Sequence, residues 1–268
     1  MKGQMPSFDD MYPTYLRECS VSWKGHPVDS SASVAVTVFS RPTSGAWSGL
    51  GEVWTAAELA RCGFDWVCLD AQHGRWNEQS MLTALALFGG QTPTLVRVRS
   101  NDDGLIGRAL DCGAAGVIVP MVSTAAAATA AAGAAHYPPA GHRSWGPITA
   151  GYGQAMSTTV TPFCAVMIET AEGVANVDAI AVTSGVSGLF VGPFDLALAL
   201  GTSVDELIGD GEILRSISSA ARRTGIVAGA FAGTPERAKD LRALGYDFLA
   251  VTTDSALISA GAAAALSA

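Results

Sequence analysis

Apolar positions along the chain follow two alternating patterns. Short runs rich in β-branched residues, typical of strands buried on both faces, begin at 33–39 (SVAVTVF), 65–70 (DWVCLD), 94–99 (TLVRVR) and 116–121 (GVIVPM). They continue at 164–169 (CAVMIE), 188–192 (GLFVG), 227–231 (VAGAF) and 248–252 (FLAVT). Between them lie longer stretches of helical spacing, at 53–62, 78–88, 102–112, 124–135, 173–182, 205–224, 235–244 and 255–266. Several of these stop at glycine (Gly63, Gly113, Gly225, Gly245), which takes the left-handed C-cap conformation at little cost. The phrases RCGFDWVCLD, DCGAAGVIVP and ALGYDFLAVT repeat one arrangement: helix end, glycine, short link, buried strand. Eight such units predict an α/β fold, a (β/α)8 barrel. The alternative, an open doubly wound sheet, lacks the G-x-G-x-x-G that would follow its first strand.

Two segments fall outside the repeat. Residues 1–32 read as a polar N-terminal extension with a helix near 11–19, which leaves 33–268 as the barrel domain. Residues 136–162 form a long connection rich in Gly, Pro and aromatics, of a kind that is usually functional or disordered. The alanine-rich stretch 124–135 reads as an ordinary helix, and 39–50 (FSRPTSGAWSGL) as a polar loop.

Composition narrows the chemistry. The 268 residues are 49% hydrophobic and 15% charged, which excludes disorder for most of the chain. Sixteen Lys and Arg against 24 Asp and Glu give a net charge of −8, which disfavours nucleic-acid partners. The mean hydropathy of +0.30 is raised by Ala and Gly, and no apolar run is long enough to predict a membrane span. Residues 1–17 lack the apolar core of a secretory leader, and the five cysteines (Cys19, Cys62, Cys68, Cys112, Cys164) are scattered without a C-x-x-C pair. A cytoplasmic protein with reduced, mostly buried thiols is expected.

Charge is scarce, yet it gathers where the strands end, the side of such a barrel that carries chemistry. The second strand ends at Asp70 and leads into Ala71-Gln72-His73-Gly74, and the third carries Arg97 and Arg99. The fifth ends at Glu169, and the sixth runs into Gly192-Pro193-Phe194-Asp195. Two carboxylates from adjacent strands, Glu169 and Asp195, can hold a hard divalent cation; a helix cap and a surface ion pair are the alternatives. His73 can act as a general base oriented by Asp70, or be a plain loop histidine. Arg97 can clamp a carboxylate or an oxyanion, or pair with Asp70 or Glu169. The three lysines (Lys2, Lys24, Lys239) all lie away from strand ends, which disfavours Schiff-base chemistry.

The pieces GFDWVCLDAQHG (63–74), LVRV (95–98), ALDCGAAGVIVPMV (109–122) and YPPAGHRSWGP (137–147) are joined by VMIET (166–170), VANVDAIA (174–181) and GVSGLFVGPFDLALALG (185–201). Through them the chain resembles, over residues 54–257, the HpcH/HpaI aldolase family. These are metal-dependent class II pyruvate aldolases related to the citrate lyase β-subunit. The resemblance implies a barrel assembled as a homo-oligomer, a hexamer or trimer of dimers with the last helix exchanged between neighbours. It implies Mg²⁺ or Mn²⁺, with Co²⁺ also compatible, held by Glu169 and Asp195. Arg97 would sit on the keto oxygen, and His73 would be the base, acting through a water. Asp111 would reach that histidine from a neighbouring subunit. Gly192, Pro193 and Phe194 would line the pyruvate carboxylate, with Gln72 nearby. The implied reaction is cleavage of a 4-hydroxy-2-oxo acid to pyruvate and an aldehyde. Alternatives on the same scaffold are a malyl- or citryl-CoA-type lyase and a catalytically silent subunit. Two departures stand out. Asp70-Ala71-Gln72-His73 replaces the common D-G-E-H, and Ile148-Thr149-Ala150-Gly151-Tyr152-Gly153 lacks the arginine many members carry there.

Overall fold

The computed structural model describes residues 42–146, 148 and 161–267. Eight parallel strands close a barrel in sequence order: β1 Thr43–Ser48, β2 Trp66–Asp70, β3 Thr94–Arg97, β4 Gly116–Val119, β5 Phe163–Ile168, β6 Gly188–Val191, β7 Val227–Phe231 and β8 Phe248–Thr253. The helices around them are α1 Val53–Arg61, α2 Glu78–Phe88, α3 Asp103–Asp111, α4 Ala125–Ala135, α5 Ala171–Ala175 and α6 Val177–Ala181. They continue with α7 Pro193–Leu200, α8 Val204–Asp210, α9 Glu212–Thr224, α10 Pro235–Ala243 and α11 Asp254–Leu266. The expected (β/α)8 barrel is what the chain forms.

The first strand is not the one expected. The apolar run 33–39 and the extension 1–32 lie outside the described residues, and the barrel closes with Thr43–Ser48, which pairs with both β2 and β8. The sequence TSGAWS has no β-branched run and reads as loop, but packing overrides propensity. At Gly45 a Cβ would lie 2.2 Å from the Trp66 ring, so only glycine lets β1 pass that indole, whose Nε1–H donates to Thr43 Oγ1 at 3.2 Å. Three smaller differences also appear. The helical stretch 205–224 divides at Gly211 (φ 66°), and 173–182 divides at Asn176. A helix not expected from the pattern, α7, starts at Pro193.

Strand alternation sorts the side chains into two cores. One set faces outward against the helices; it includes the alanine face of α4, where Ala128, Ala131, Ala132 and Ala135 are buried. The other set fills the barrel: Trp47, Trp66, Cys68, Leu95, Ile118, Phe163, Met167, Phe190, Phe248 and neighbours. Its rings interlock, Trp66 on Phe248 at 4.1 Å and Phe163 edge-on to Phe248 at 5.4 Å. Burial of Phe190 and Phe248 stabilises the barrel by roughly 1.5–3 kcal/mol each. This plug closes the interior below the C-terminal rim. Cys68, Cys112 and Cys164 are buried, whereas Cys62 is exposed. No helix among the described residues is long and apolar enough to cross a membrane.

Candidate active site

The inward positions continue upward past the plug. Two residues beyond Cys68 is Asp70, two beyond Leu95 is Arg97, and two beyond Met167 is Glu169. In a chain with 15% charge, the same periodicity that buries the core therefore places charge at its top.

Asp70 and Arg97 are register partners at the ends of β2 and β3. Arg97 donates through Nε to Asp70 Oδ1 at 2.9 Å and through Nη2 to Oδ2 at 2.6 Å. Its guanidinium lies over the Trp47 ring at 5.2 Å, and Nη1 makes no hydrogen bond to a described residue. Asp70 Oδ1 also accepts the amides of Gln72 (3.0 Å) and His73 (3.2 Å), which fixes the start of the loop that carries the histidine. Burial works to raise the Asp70 pKa, but the bonds and charge of Arg97 outweigh it and hold the carboxyl below its ordinary range. The ion-pair reading of Arg97 thus holds, with Asp70 as the partner.

Glu169 is treated differently. It is 2% exposed, and Oε1 accepts the Met121 amide at 2.7 Å. Met121 has φ 58°, the left-handed region that non-glycine residues seldom occupy. Glu169 Oε2 is buried and has no hydrogen-bond partner among the described residues. Beside it is Gly192, where a Cβ would come within 2.4 Å of Oε2. Burial first, and then the charge of Asp195, push the Glu169 carboxyl up, against the pull of the Met121 amide. Two carboxylates that repel each other, one with an oxygen left bare, form a donor set that suits a hard divalent cation. Among the described residues no group of three or more His, Cys, Asp or Glu side chains could hold a metal. A cation here would complete its shell with substrate and water.

Asp195 stands in the first turn of α7. Helices α1, α2, α3, α4, α5, α10 and α11 each begin with a side chain that caps a backbone amide. Helix α7 begins at Gly192 with no such cap, and Pro193 has no N–H. The amides of Phe194 and Asp195 are left without a capping side chain, at the positive end of the helix dipole. Such a helix start can accept an anion, although α6 and α9 also begin without a side-chain cap.

These groups surround one cavity of about 520 Å³. Of the residues expected at the site, Asp70, His73, Arg97, Gly192, Pro193, Phe194 and Asp195 line it. Glu169 sits behind Gly192. Gln72 is not on the cavity wall, and its side-chain carbonyl is buried without a hydrogen-bond partner among the described residues. Asp111 ends α3, at the opposite end of the barrel, where Arg143 donates to its Oδ1 at 2.6 Å. It does not meet His73 within one chain. Arg99 lies just past β3, and its Nε donates to the Ala71 carbonyl at 3.2 Å. Trp47, Arg75, Phe231 and Asp254 also line the cavity. Trp47 is hidden from sequence reading because its strand reads as loop. Asp254 directly follows β8, much as Asp70 closes β2, a signal the pattern contained. It is 2% exposed, bonded to Ser48 Oγ and the amides of Leu50 and Ser255.

The model of the HpcH/HpaI aldolase/citrate lyase family matches residues 43–260. The chain belongs to this family. Within it, the chain is 38% identical over 232 residues to a hydroxypyruvate/pyruvate aldolase of Rhizorhabdus wittichii, covering 83% of this chain and 92% of the relative. It is 36% identical to a 2-dehydro-3,6-dideoxy-6-sulfogluconate aldolase of Pseudomonas putida, covering 80% of this chain and 87% of that one. A crystal structure of an HpcH/HpaI aldolase/citrate lyase family protein from Burkholderia cenocepacia J2315 superposes with a TM-score of 0.76 at 27% identity. It covers 88% of this chain and 98% of the other. The family model begins at Thr43, the start of the strand that closes the barrel.

Proposed function

We propose that the chain is a metal-dependent carbon–carbon lyase that cleaves a 4-hydroxy-2-oxo acid, reversibly, to pyruvate and an aldehyde. The bare Oε2 of Glu169, beside Asp195 and the uncapped start of α7, carries this reading. Relatives at 34–38% identity are named as aldolases, which favours aldol cleavage over the CoA-ester reaction.

Glu169 and Asp195 would hold the divalent cation, Mg²⁺ or Mn²⁺, with Co²⁺ also compatible with oxygen donors. When bound, it supplies a Lewis acid for the α-oxo-carboxylate. The amides of Phe194 and Asp195 bind the substrate carboxylate, and Pro193 and Gly192 let it approach the helix start. Arg97 keeps Nε and Nη2 on Asp70 and offers Nη1 to the C2 oxygen, where charge develops. Asp70 is a positioning residue: it aims Arg97 and holds the His73 amide. His73 takes the proton of the C4 hydroxyl. The C3–C4 bond then breaks, its electron pair moves to C3–C2 as the enolate of pyruvate, and C4 becomes the aldehyde carbonyl. Protonation at C3 completes pyruvate.

The same reading includes assembly. Helix α11 buries only Asp254 within the chain, and its apolar residues, Leu257, Ile258 and the alanines, are exposed. A homo-oligomer in which α11 packs on another copy accounts for that exposure. Such an assembly is also the route by which Asp111 of a second copy would reach His73.

The test is pyruvate release from a racemic 4-hydroxy-2-oxo acid by purified protein, after chelation and again with Mg²⁺ or Mn²⁺ restored. Release should vanish with chelator and return with metal. Release that ignores the chelator, or none under any metal, overturns the reading.

A further inference from the structure

One acid on the cavity wall, Asp254, has no role in the scheme above. It is the first residue of α11 and the only residue of that helix buried within the chain. An acid in a first helical turn commonly serves the cap or the dipole. Here the cap is already made, because Thr253 Oγ1 accepts the Ala256 amide at 3.0 Å. The Asp254 carboxylate reaches across to the end of β1 instead. Its Oδ2 accepts the Ser48 hydroxyl and the Leu50 amide, both at 2.9 Å, and its Oδ1 accepts the Ser255 amide at 2.8 Å.

The segment that Asp254 holds in turn holds the loop after β2. Trp76 is fully buried, and its Nε1–H is shared between the Ser48 carbonyl at 2.9 Å and Ser48 Oγ at 3.3 Å. The Arg75 amide donates to the Gly49 carbonyl at 2.9 Å. Gly74 passes so closely that a Cβ there would lie 3.1 Å from the Gly49 carbonyl oxygen and 2.2 Å from that of Asp70. His73 is therefore fastened on both sides. Asp70 Oδ1 binds its own amide at 3.2 Å, and the residues after it rest on Ser48 and Gly49, which Asp254 anchors.

Three donors converge on the two oxygens of Asp254, a demand that a carboxylate meets and a carboxamide does not. An asparagine there would turn its NH₂ toward one of those donors and release it. The end of β1 would then loosen, and with it the support of Gly74, Arg75 and Trp76. An error of about 1 Å in a reacting group can cost on the order of 10²-fold in rate. We propose that Asp254 is a positioning residue that holds, through Ser48 and Leu50, the loop presenting His73 to the C4 hydroxyl. This inference rests on the lyase reading. It makes the start of α11 part of the frame of the active site, and not only of an assembly surface.

The test uses a second substrate that needs the cation but has no C4 hydroxyl proton for His73 to take. Loss of CO₂ from oxaloacetate breaks its C3–C4 bond and leaves the electron pair in the same pyruvate enolate. The kcat for cleavage of a 4-hydroxy-2-oxo acid, divided by the kcat for oxaloacetate decarboxylation, therefore reports the placing of His73. In Asp254→Asn this ratio should fall by roughly 10- to 100-fold. A merely structural role, or damage to the cation site, lowers both rates together and leaves the ratio where it was. Ser48→Ala removes one of the three donors and should lower the ratio less. The double variant should lose no more than Asp254→Asn alone, because both act on one loop. An unchanged ratio in Asp254→Asn, or losses that multiply in the double variant, overturns the proposal. Should Asp254→Asn fail to fold, an unchanged ratio in Ser48→Ala overturns it equally. A wild type that turns over neither substrate with Mg²⁺ or Mn²⁺ overturns the lyase reading and the proposal with it. Metal-dependent turnover of both with an Asp254-independent ratio overturns the proposal alone.

Discussion

Asp70 and Glu169 are both buried acids at the same rim, exposed by 4% and 2%, each two residues above the same aromatic plug. Asp70 receives four hydrogen bonds, two of them from a guanidinium, and its pKa falls. Glu169 receives one, faces the charge of Asp195, and its pKa rises. Equal burial therefore yields opposite electrostatics. The carboxylate whose partners are all supplied by the chain is a scaffold, and the one left short of partners is the candidate for a site. A buried unsatisfied oxygen costs on the order of 1–3 kcal/mol, a cost that a bound cation would remove.

The contrast can be broken at either acid. The largest effect is expected from Glu169→Gln, which keeps the volume and removes the charge. Metal-dependent pyruvate release should fall about 10³-fold while the far-UV circular dichroism stays that of the folded barrel. Turnover within tenfold of wild type would remove Glu169 from the cation site.

Asp70→Asn comes next, and its readout is stability. It leaves Arg97 buried without its counter-charge, at a cost of about 3–5 kcal/mol in urea denaturation at neutral pH. Because the folded pKa of Asp70 lies below its ordinary 3.8, the contribution of the pair is complete above that pH. It is lost as pH falls through the depressed folded value, so wild type and variant should converge there. A gap that stays constant from pH 7 to acid would mean that the pair is not the source of the difference.

The finest probe is Gly192→Ala. The added methyl would lie 2.4 Å from Glu169 Oε2 and 2.9 Å from Met167 Cε. The expected cost is about 1–3 kcal/mol of overpacking, and the thermal stabilisation expected of the wild type on adding Mn²⁺ should be lost. Equal melting shifts with Mn²⁺ in both proteins would separate Gly192 from the cation site.

Several of these features can be read directly from the chain. Seven of the eight strands follow from apolar runs, and Asp70, His73, Arg97, Gly192 and Asp195 reach one cavity because inward alternation and strand ends are local patterns. The strand Thr43–Ser48 could not be read. It exists because Trp66 needs a glycine opposite and because the barrel needs a closing strand, and neither fact is local to TSGAWS. Trp47, Arg75 and Asp254 share a wall made by the end of β1, the segment after β2 and the start of α11, which are distant in sequence. Gln72 shows the opposite case, where adjacency to a motif did not bring a side chain to the cavity wall, and Asp111 stands away from the cavity of its own chain, as expected of a residue that would reach His73 from a second copy.

The chain by itself therefore determined its architecture, through the repeated spacing of apolar residues and the glycine stops, since seven of the eight strands and most of the helices are specified within a dozen residues. It also determined which residue types stand at the strand ends. The state of each of those residues was decided only in three dimensions. Whether a carboxylate is paired or bare depends on what the neighbouring strands and helix starts place within about 3 Å of it. The alternation that carries Asp70 and Glu169 inward is identical. The guanidinium beside one and the missing Cβ beside the other come from elsewhere in the barrel.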